Sequence, residues 1–203
     1  MADGCWADYR VSTAAGRPCL FLDRDGVLIE DTGYPHRPDE VRLIPESLVA
    51  VAAACRDGCT AGIVSNQSGV GRGLFGWDAF AAVQAVIDAA LARLGCRLVF
   101  VLACPHHPEA PLSAYRQDHV WRKPQPGMLQ AVAARLAIGL PEAVMVGDRG
   151  SDMQAAAAAG VPHRLLLRRD DETASACAGC EPVRRSDLPR RLDALVQAAS
   201  SRG

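Results

Sequence analysis

Short apolar runs alternate along most of the chain with longer segments of helical period. Cys19 to Leu22 is an unbroken apolar run that ends abruptly in Asp23 and Asp25, with Gly26 behind them. Pro45 to Arg56 sets Leu48, Val49, Val51 and Ala52 at helical spacing and is closed by Gly58, after which Cys59 to Val64 reads as a second buried strand. Trp77 to Leu94 carries Phe80, Val83, Ile87 and Leu91 on one stripe, and Leu98 to Ala103 is a third apolar run. Gly127 to Ala137 reads as a helix, Ala143 to Val146 as a strand, Ser151 to Ala159 as an alanine-rich helix stopped by Gly160, and His163 to Leu167 as a strand. Ser186-Asp187-Leu188-Pro189 starts a final helix that packs through Leu188, Leu192, Leu195 and Val196.

Strands that alternate with helices predict an α/β fold, a three-layer Rossmann-like, mostly parallel sheet with helices on both faces. Residues 1–17 and 170–185 lack the pattern and read as a tail and a loop, so 18–203 is expected to be one domain. The segments between Gly26 and Pro45 and between Ala103 and Lys123 are too short for a separate cap domain, which leaves substrate recognition to loops.

Composition narrows the partners. The 203 residues are 49% hydrophobic and 22% charged, enough for one well-buried core. Lys and Arg number 22 against 23 Asp and Glu, so no net field draws the chain to nucleic acid or anionic lipid. No basic stretch followed by a long apolar one opens the chain, and no apolar span reaches the ~18 residues of a membrane helix. A cytoplasmic monomer with neither nucleic-acid nor membrane partners is expected. Of the eight cysteines, Cys19, Cys55, Cys59 and Cys96 sit in or beside apolar segments and read as small hydrophobes. Cys177-Ala178-Gly179-Cys180 lacks a second pair at metal-site spacing and reads as two thiols on a loop.

The chemistry lies where the apolar runs end. At the tip of a buried strand, Asp23 can be aimed at an electrophile while Asp25 lies close enough to move a proton, and Gly26 lets the chain turn away. Taken alone, Asp-x-Asp-Gly also suits a calcium loop or a plain acidic turn. The later segments decide. Ser65-Asn66-Gln67-Ser68-Gly69 places a hydroxyl and small turn residues where a phosphate can be held, although Ser65 alone could equally cap its own turn. Arg122-Lys123-Pro124 opens a helix with two cations, and Val146-Gly147-Asp148 ends a further strand in a carboxylate, with Asp152 one helical turn on. Nucleophile, phosphate cradle, cation and metal carboxylate follow one another along the chain.

These four segments resemble the haloacid dehalogenase superfamily of phosphatases. Asp31-Thr32-Gly33-Tyr34, Gly71-Arg72-Gly73-Leu74-Phe75 and Cys104-Pro105-His106-His107-Pro108 resemble, within it, the branch that acts on D-glycero-D-manno-heptose 1,7-bisphosphate. The resemblance covers Cys19 to Leu167. It implies a haloacid dehalogenase-like sheet without a large cap, Mg²⁺ held by Asp23, the backbone carbonyl of Asp25, and Asp148, and an aspartyl-phosphate formed on Asp23. Asp152 would then stand behind the metal ligands, Asp25 would be acid and base, and Ser65 and Lys123 would complete the catalytic set. Asp31, Gly33, Tyr34, Ser65, Asn66, Gln67, Arg122 and Lys123 would contact a small phosphorylated sugar, with Arg122 gripping a second phosphate or sugar hydroxyls.

The chain departs from that pattern at one place. In the resembling family the Cys-x-His is completed by a Cys-x-Cys just before Arg-Lys-Pro to hold zinc, and His119-Val120-Trp121 stands there instead. Cys104, His106 and His119 supply three ligands where a closed site takes four. Two alternatives stand: zinc completed by His107, Asp118 or water, or a metal-free loop packed by Trp121 and the prolines. The expected activity is Mg²⁺-dependent removal of the 7-phosphate of the heptose bisphosphate. The alternatives are a histidinol-phosphate phosphatase or another small phosphosugar phosphatase and, in another class, a non-catalytic phosphosugar-binding protein, which a lost Asp25, Lys123 or Asp148 would signal.

Overall fold

The apolar run Cys19–Leu22 is a strand buried along its whole length (β2). It lies at the centre of the sheet in a computed structural model that describes residues 2–171 and 179–200. The other strands are β1 (Trp6–Tyr9), β3 (Thr60–Asn66), β4 (Phe100–Cys104), β5 (Val144–Gly147), β6 (His163–Arg168) and β7 (Glu181–Arg184). The helices are α1 (Pro45–Arg56), the single turn α2 (Ser68–Gly71), α3 (Trp77–Arg93), α4 (Gly127–Leu136), α5 (Gly150–Ala159) and α6 (Leu188–Ser200). The seven strands run in the order β1-β4-β3-β2-β5-β6-β7, all parallel to their neighbours except β1, which runs antiparallel to β4.

Side chains of successive strand residues point to opposite faces, so a central strand must feed two cores. In β2, Leu20 and Leu22 join one cluster with Val51 of α1, Phe80, Val83 and Ile87 of α3, and Leu192 of α6. Cys19 and Phe21 join the other with Met128, Leu129 and Val132 of α4 and Met153 of α5. The three-layer α/β arrangement expected from the sequence is therefore present. Among the described residues no helix is long and apolar enough to cross a membrane.

Two expectations are corrected. Residues 6–9, read as tail, form β1, and residues 181–184, read as loop, form β7. Both are edge strands whose residues are mostly not buried, Val183 being the exception in β7, so neither shows an apolar run. Trp6 anchors β1 by packing against Trp77 and Phe80, with ring centroids 5.7 and 5.4 Å away. Cys177 lies outside the described residues, and Cys180 packs against the second core cluster.

Close packing inside the sheet makes one glycine sensitive. A Cβ at Gly62 in β3 would meet the ring of Phe100 at 2.5 Å, and Phe100 is itself fixed against Phe21 with centroids 5.5 Å apart. Gly62→Ala is expected to destabilise the fold by about 1–3 kcal/mol, the range for overpacking a filled core. Equilibrium urea unfolding should show a lower midpoint at unchanged slope, and an unchanged midpoint would show that Phe100 yields freely.

Candidate active site

β2, β3 and β5 stop at one edge of the sheet, and the residues that follow them face each other there. In open α/β sheets this edge is where ligands bind, because the chain leaves the central strands toward opposite sides and opens a crevice. The Asp23 amide donates to the Val146 carbonyl at 2.9 Å, which carries the β2 ladder one residue further and sets Asp23 beside Gly147-Asp148. Gly26 has φ +82°, and a Cβ there would run into the Asp148 carboxylate, so glycine is required for both the turn and the approach.

Asp23, Asp148 and Asp152 each place an oxygen within 4.8 Å of the other two. Asp152 lies in this group with its Oδ2 accepting the Arg149 N–H at 3.0 Å. Lys123 is 3% exposed, and its ammonium lies 2.9 Å from Asp23 and 2.7 Å from Asp152 while donating to the Val64 carbonyl at 2.8 Å. Burial alone would depress its pKa, but Asp152 and Asp23 outweigh burial and raise it, so Lys123 stays charged. One ammonium does not balance three carboxylates. The excess falls on Asp148, whose pKa is pushed up to about 7 by burial and then by Asp23 and Asp152. Its Oδ1 is buried without a hydrogen-bond partner. A buried, unpartnered oxygen in a surplus of negative charge fits a hard divalent cation with oxygen ligands, as Mg²⁺ requires.

Asp25 is held differently. Arg24 Nε and Nη2 donate to its two oxygens at 3.0 and 3.1 Å, and Gln67 Nε2 donates to Oδ2 at 2.7 Å. Arg24 is fully buried, with its guanidinium 5.0 Å from the centre of the Phe80 ring and Nη2 also donating to Gln67 Oε1 at 3.2 Å. Burial raises the Asp25 pKa, Arg24 opposes, and Asp23 adds to the rise. The outcome is an oriented carboxyl group displaced toward the protonated form, which suits a group that gives and takes a proton.

Gln67 Nε2 also donates to Ser65 Oγ at 3.0 Å, and Ser65 is 1% exposed beneath the crevice. Asn66 clamps Lys123 through the backbone: its amide donates to the Lys123 carbonyl at 2.9 Å and its oxygen accepts the Lys123 N–H at 3.0 Å. Asn66 and Gln67 thus position Lys123 and Asp25, and both line the cavity over the site. A cavity of about 510 Å³ lies over these groups, bounded on its outer side by Asp31, Gly33, Tyr34, Arg122 and Arg149. Asp31 accepts the Gly33 N–H at 3.1 Å and pairs with Arg149 at 2.6 Å. Arg122 Nη1 donates to the His106 carbonyl at 2.9 Å.

Sequence reasoning missed Arg24 and Arg149. Nothing in the residue pattern marks Arg24, because an arginine between two aspartates at a strand end reads as solvated. Only the alternation along an extended backbone, which sends it to the face opposite Asp23 and into the core, could have raised the question. Cys104, His106 and His119 do come together: Cys104 Sγ lies 4.0 Å from His119 Nδ1, and the two imidazoles stack with centroids 4.4 Å apart. His107 accepts the Glu109 N–H within its own loop and borders a separate hollow with Asp118.

A HAD-hydrolase-like family model matches residues 120–187. A Mesorhizobium japonicum protein named D-glycero-beta-D-manno-heptose-1,7-bisphosphate 7-phosphatase is 45% identical over 150 residues, 74% of this chain and 69% of that one. A protein of the same name from Yersinia pestis is 37% identical over 184 residues, 87% of this chain and 96% of that one. Among solved structures, a HAD-like phosphatase from Mesorhizobium loti superposes with a TM-score of 0.87 at 38% identity, covering 98% of this chain and 96% of that one. The D,D-heptose 1,7-bisphosphate phosphatase of B. bronchiseptica, solved with magnesium and phosphate, gives a TM-score of 0.76 at 31% identity, covering 89% of this chain and 99% of that one.

Proposed function

This chain belongs to the heptose bisphosphate phosphatase family of haloacid dehalogenase-like phosphoric monoester hydrolases, and from that premise we propose that it removes the 7-phosphate of D-glycero-D-manno-heptose 1,7-bisphosphate. The observation that carries the reading is the constellation at the end of β2: Asp23 paired with a buried Lys123, two further carboxylates beside it, and Asp25 held by Arg24 and Gln67.

A phosphate monoester repels an anionic nucleophile, so attack by Asp23 needs cations on the phosphoryl oxygens. Lys123 is one. Asp23, Asp148 and Asp152, with the Asp25 carbonyl named by the family resemblance, would hold Mg²⁺, which supplies the remaining neutralisation and orients the phosphate. An Asp23 oxygen forms a bond to phosphorus as the bond from phosphorus to the sugar oxygen breaks, and Asp25 gives its proton to the departing alkoxide. Water then attacks the same phosphorus, Asp25 takes a proton from it, and the bond to Asp23 breaks to release inorganic phosphate and restore the Asp23 carboxylate and the protonated Asp25.

The test is phosphate release from a panel of both anomers of heptose 1,7-bisphosphate, the corresponding monophosphates, fructose 1,6-bisphosphate and histidinol phosphate. The heptose bisphosphate should give the highest kcat/KM. Faster hydrolysis of histidinol phosphate would reassign the substrate, and binding without release of phosphate from any compound would mark a non-catalytic phosphosugar-binding protein. Arg122 lines the outer wall of the cavity, and in this reading it grips the phosphate that stays. Arg122→Ala is expected to lower kcat/KM for bisphosphates by roughly ten- to a hundredfold, the worth of a charge-assisted contact of about 1.5–3 kcal/mol, and to leave monophosphates much less affected. Equal losses on both would remove Arg122 as the selectivity residue.

A further inference from the structure

The last residue of β4, Cys104, and the loop after it, with His106 and His119, converge, and Trp121 occupies the place of a further ligand. We propose that Cys5, from the N-terminal segment, supplies the missing donor and completes a zinc site of two cysteines and two histidines.

The sheet itself brings Cys5 there. β1 runs antiparallel to β4 with Tyr9 opposite Phe100, Asp8 opposite Val101, Ala7 opposite Leu102 and Trp6 opposite Ala103. One step further in the same register sets Cys5 opposite Cys104. Both sulfurs are buried, in hydrogen-bond contact with each other, and they lie 3.9 and 4.0 Å from the same His119 Nδ1. Donor atoms of Cys5, His106 and His119 all fall within 4.8 Å of one another. With Zn–S near 2.3 Å and Zn–N near 2.0–2.1 Å, tetrahedral ligand atoms stand about 3.3–3.8 Å apart, so Cys5, His106 and His119 would contract on a metal, and Cys104, beside Cys5 and His119 but outside that group of three, would close toward His106.

Groups around the cluster are arranged as ligand-orienting neighbours are. His106 Nε2 donates to the Asp3 carbonyl at 2.7 Å, which fixes the proton on that nitrogen and leaves Nδ1 as an electron-pair donor. The two lone pairs a metal would take, on His106 Nδ1 and His119 Nδ1, accept from the Gln117 side chain and the Trp121 amide, both at 3.1 Å. The His106 backbone N–H donates to Cys104 Sγ, a bond that stabilises a thiolate. Gly4, with φ +71°, lets the N-terminal segment press close to Tyr115, whose ring meets His106 edge-on with centroids 5.5 Å apart. The site would thus tie the N-terminal segment to the loop whose His106 carbonyl receives Arg122.

Neither His107 nor Asp118, the candidates suggested by sequence position, is needed. A disulfide between Cys5 and Cys104 would use the same sulfurs but would give the two stacked imidazoles no role.

The full-length protein, produced with zinc in the medium and dialysed against metal-free buffer, should retain one zinc per chain by elemental analysis. X-ray absorption at the zinc edge should resolve two sulfur and two nitrogen neighbours. Cys5→Ser should retain at least tenfold less zinc, whereas Cys59→Ser, at a buried thiol elsewhere, should retain the full complement. Zinc with a single sulfur neighbour, full retention in Cys5→Ser, or a zinc-free protein containing a Cys5–Cys104 disulfide by mass spectrometry would each overturn the proposal. The absorption measurement uses the unmodified chain and decides the matter even where Cys5→Ser does not fold.

Discussion

Asp23→Asn is expected to lower kcat by roughly four to six orders of magnitude, and Asp25→Asn by about two to four, the ranges for losing a nucleophile and a general acid–base group. The two should part company in stability. Asp23 stands among two other carboxylates and a single ammonium, so replacing it with a neutral amide removes repulsion between buried like charges. Metal-free Asp23→Asn should therefore melt at or above the wild-type temperature. Asp25 is instead the counter-charge of the fully buried Arg24. An amide in its place cannot satisfy the guanidinium as a carboxylate does, and about 1–3 kcal/mol of stability should be lost. Calorimetry with single-turnover phosphate release separates these effects. A folded Asp23→Asn protein that turns over at near-wild-type rate would exclude attack by Asp23.

What the sequence made legible, and what it hid, follow from the same physics. Cys19 to Leu22 announced itself because a strand covered on both faces has no polar positions, and α1 and α3 were readable from a helical stripe bounded by Pro45, Gly58 and Gly95. Asp23 and Asp148 could be found because each follows an apolar run, and Lys123 because Arg-Lys-Pro shortly precedes α4. Edge strands β1 and β7 escaped because they bury too few residues to leave a pattern. Arg24 escaped because composition rules place arginine in water, and only the assembled site supplies Asp25, Gln67 and the Phe80 ring that make its burial tolerable. Cys5 escaped for a third reason. Its partner lies across an antiparallel pairing between distant segments, and no local spacing encodes that register.

Removing divalent cations is expected to abolish turnover, with Mg²⁺ restoring it and Ca²⁺ restoring little, since calcium accepts looser, higher-coordinate geometry. The pH dependence of this requirement is set by Asp148. Its folded-state pKa of about 7 lies above the ordinary 3.8, so between those values the metal-free folded protein holds a proton that the unfolded chain has released. Raising the pH through that window therefore costs the metal-free protein stability, by at most about 1.4 kcal/mol per pH unit from this group. A cation must displace that proton. Below pH 7 the apparent Mg²⁺ affinity should fall by about tenfold per pH unit, and above it the affinity should level off. Asp148→Asn should remove both effects together: the metal-free protein no longer loses stability across the window, and Mg²⁺ no longer activates it. Thermal melting with and without Mg²⁺ across this pH range, alongside phosphate release, measures each arm. Full activity after exhaustive chelation would contradict the role given to Asp148, and an Mg²⁺ affinity that stays flat from pH 5 to 7 would show that the carboxylate group holds no surplus proton in that window.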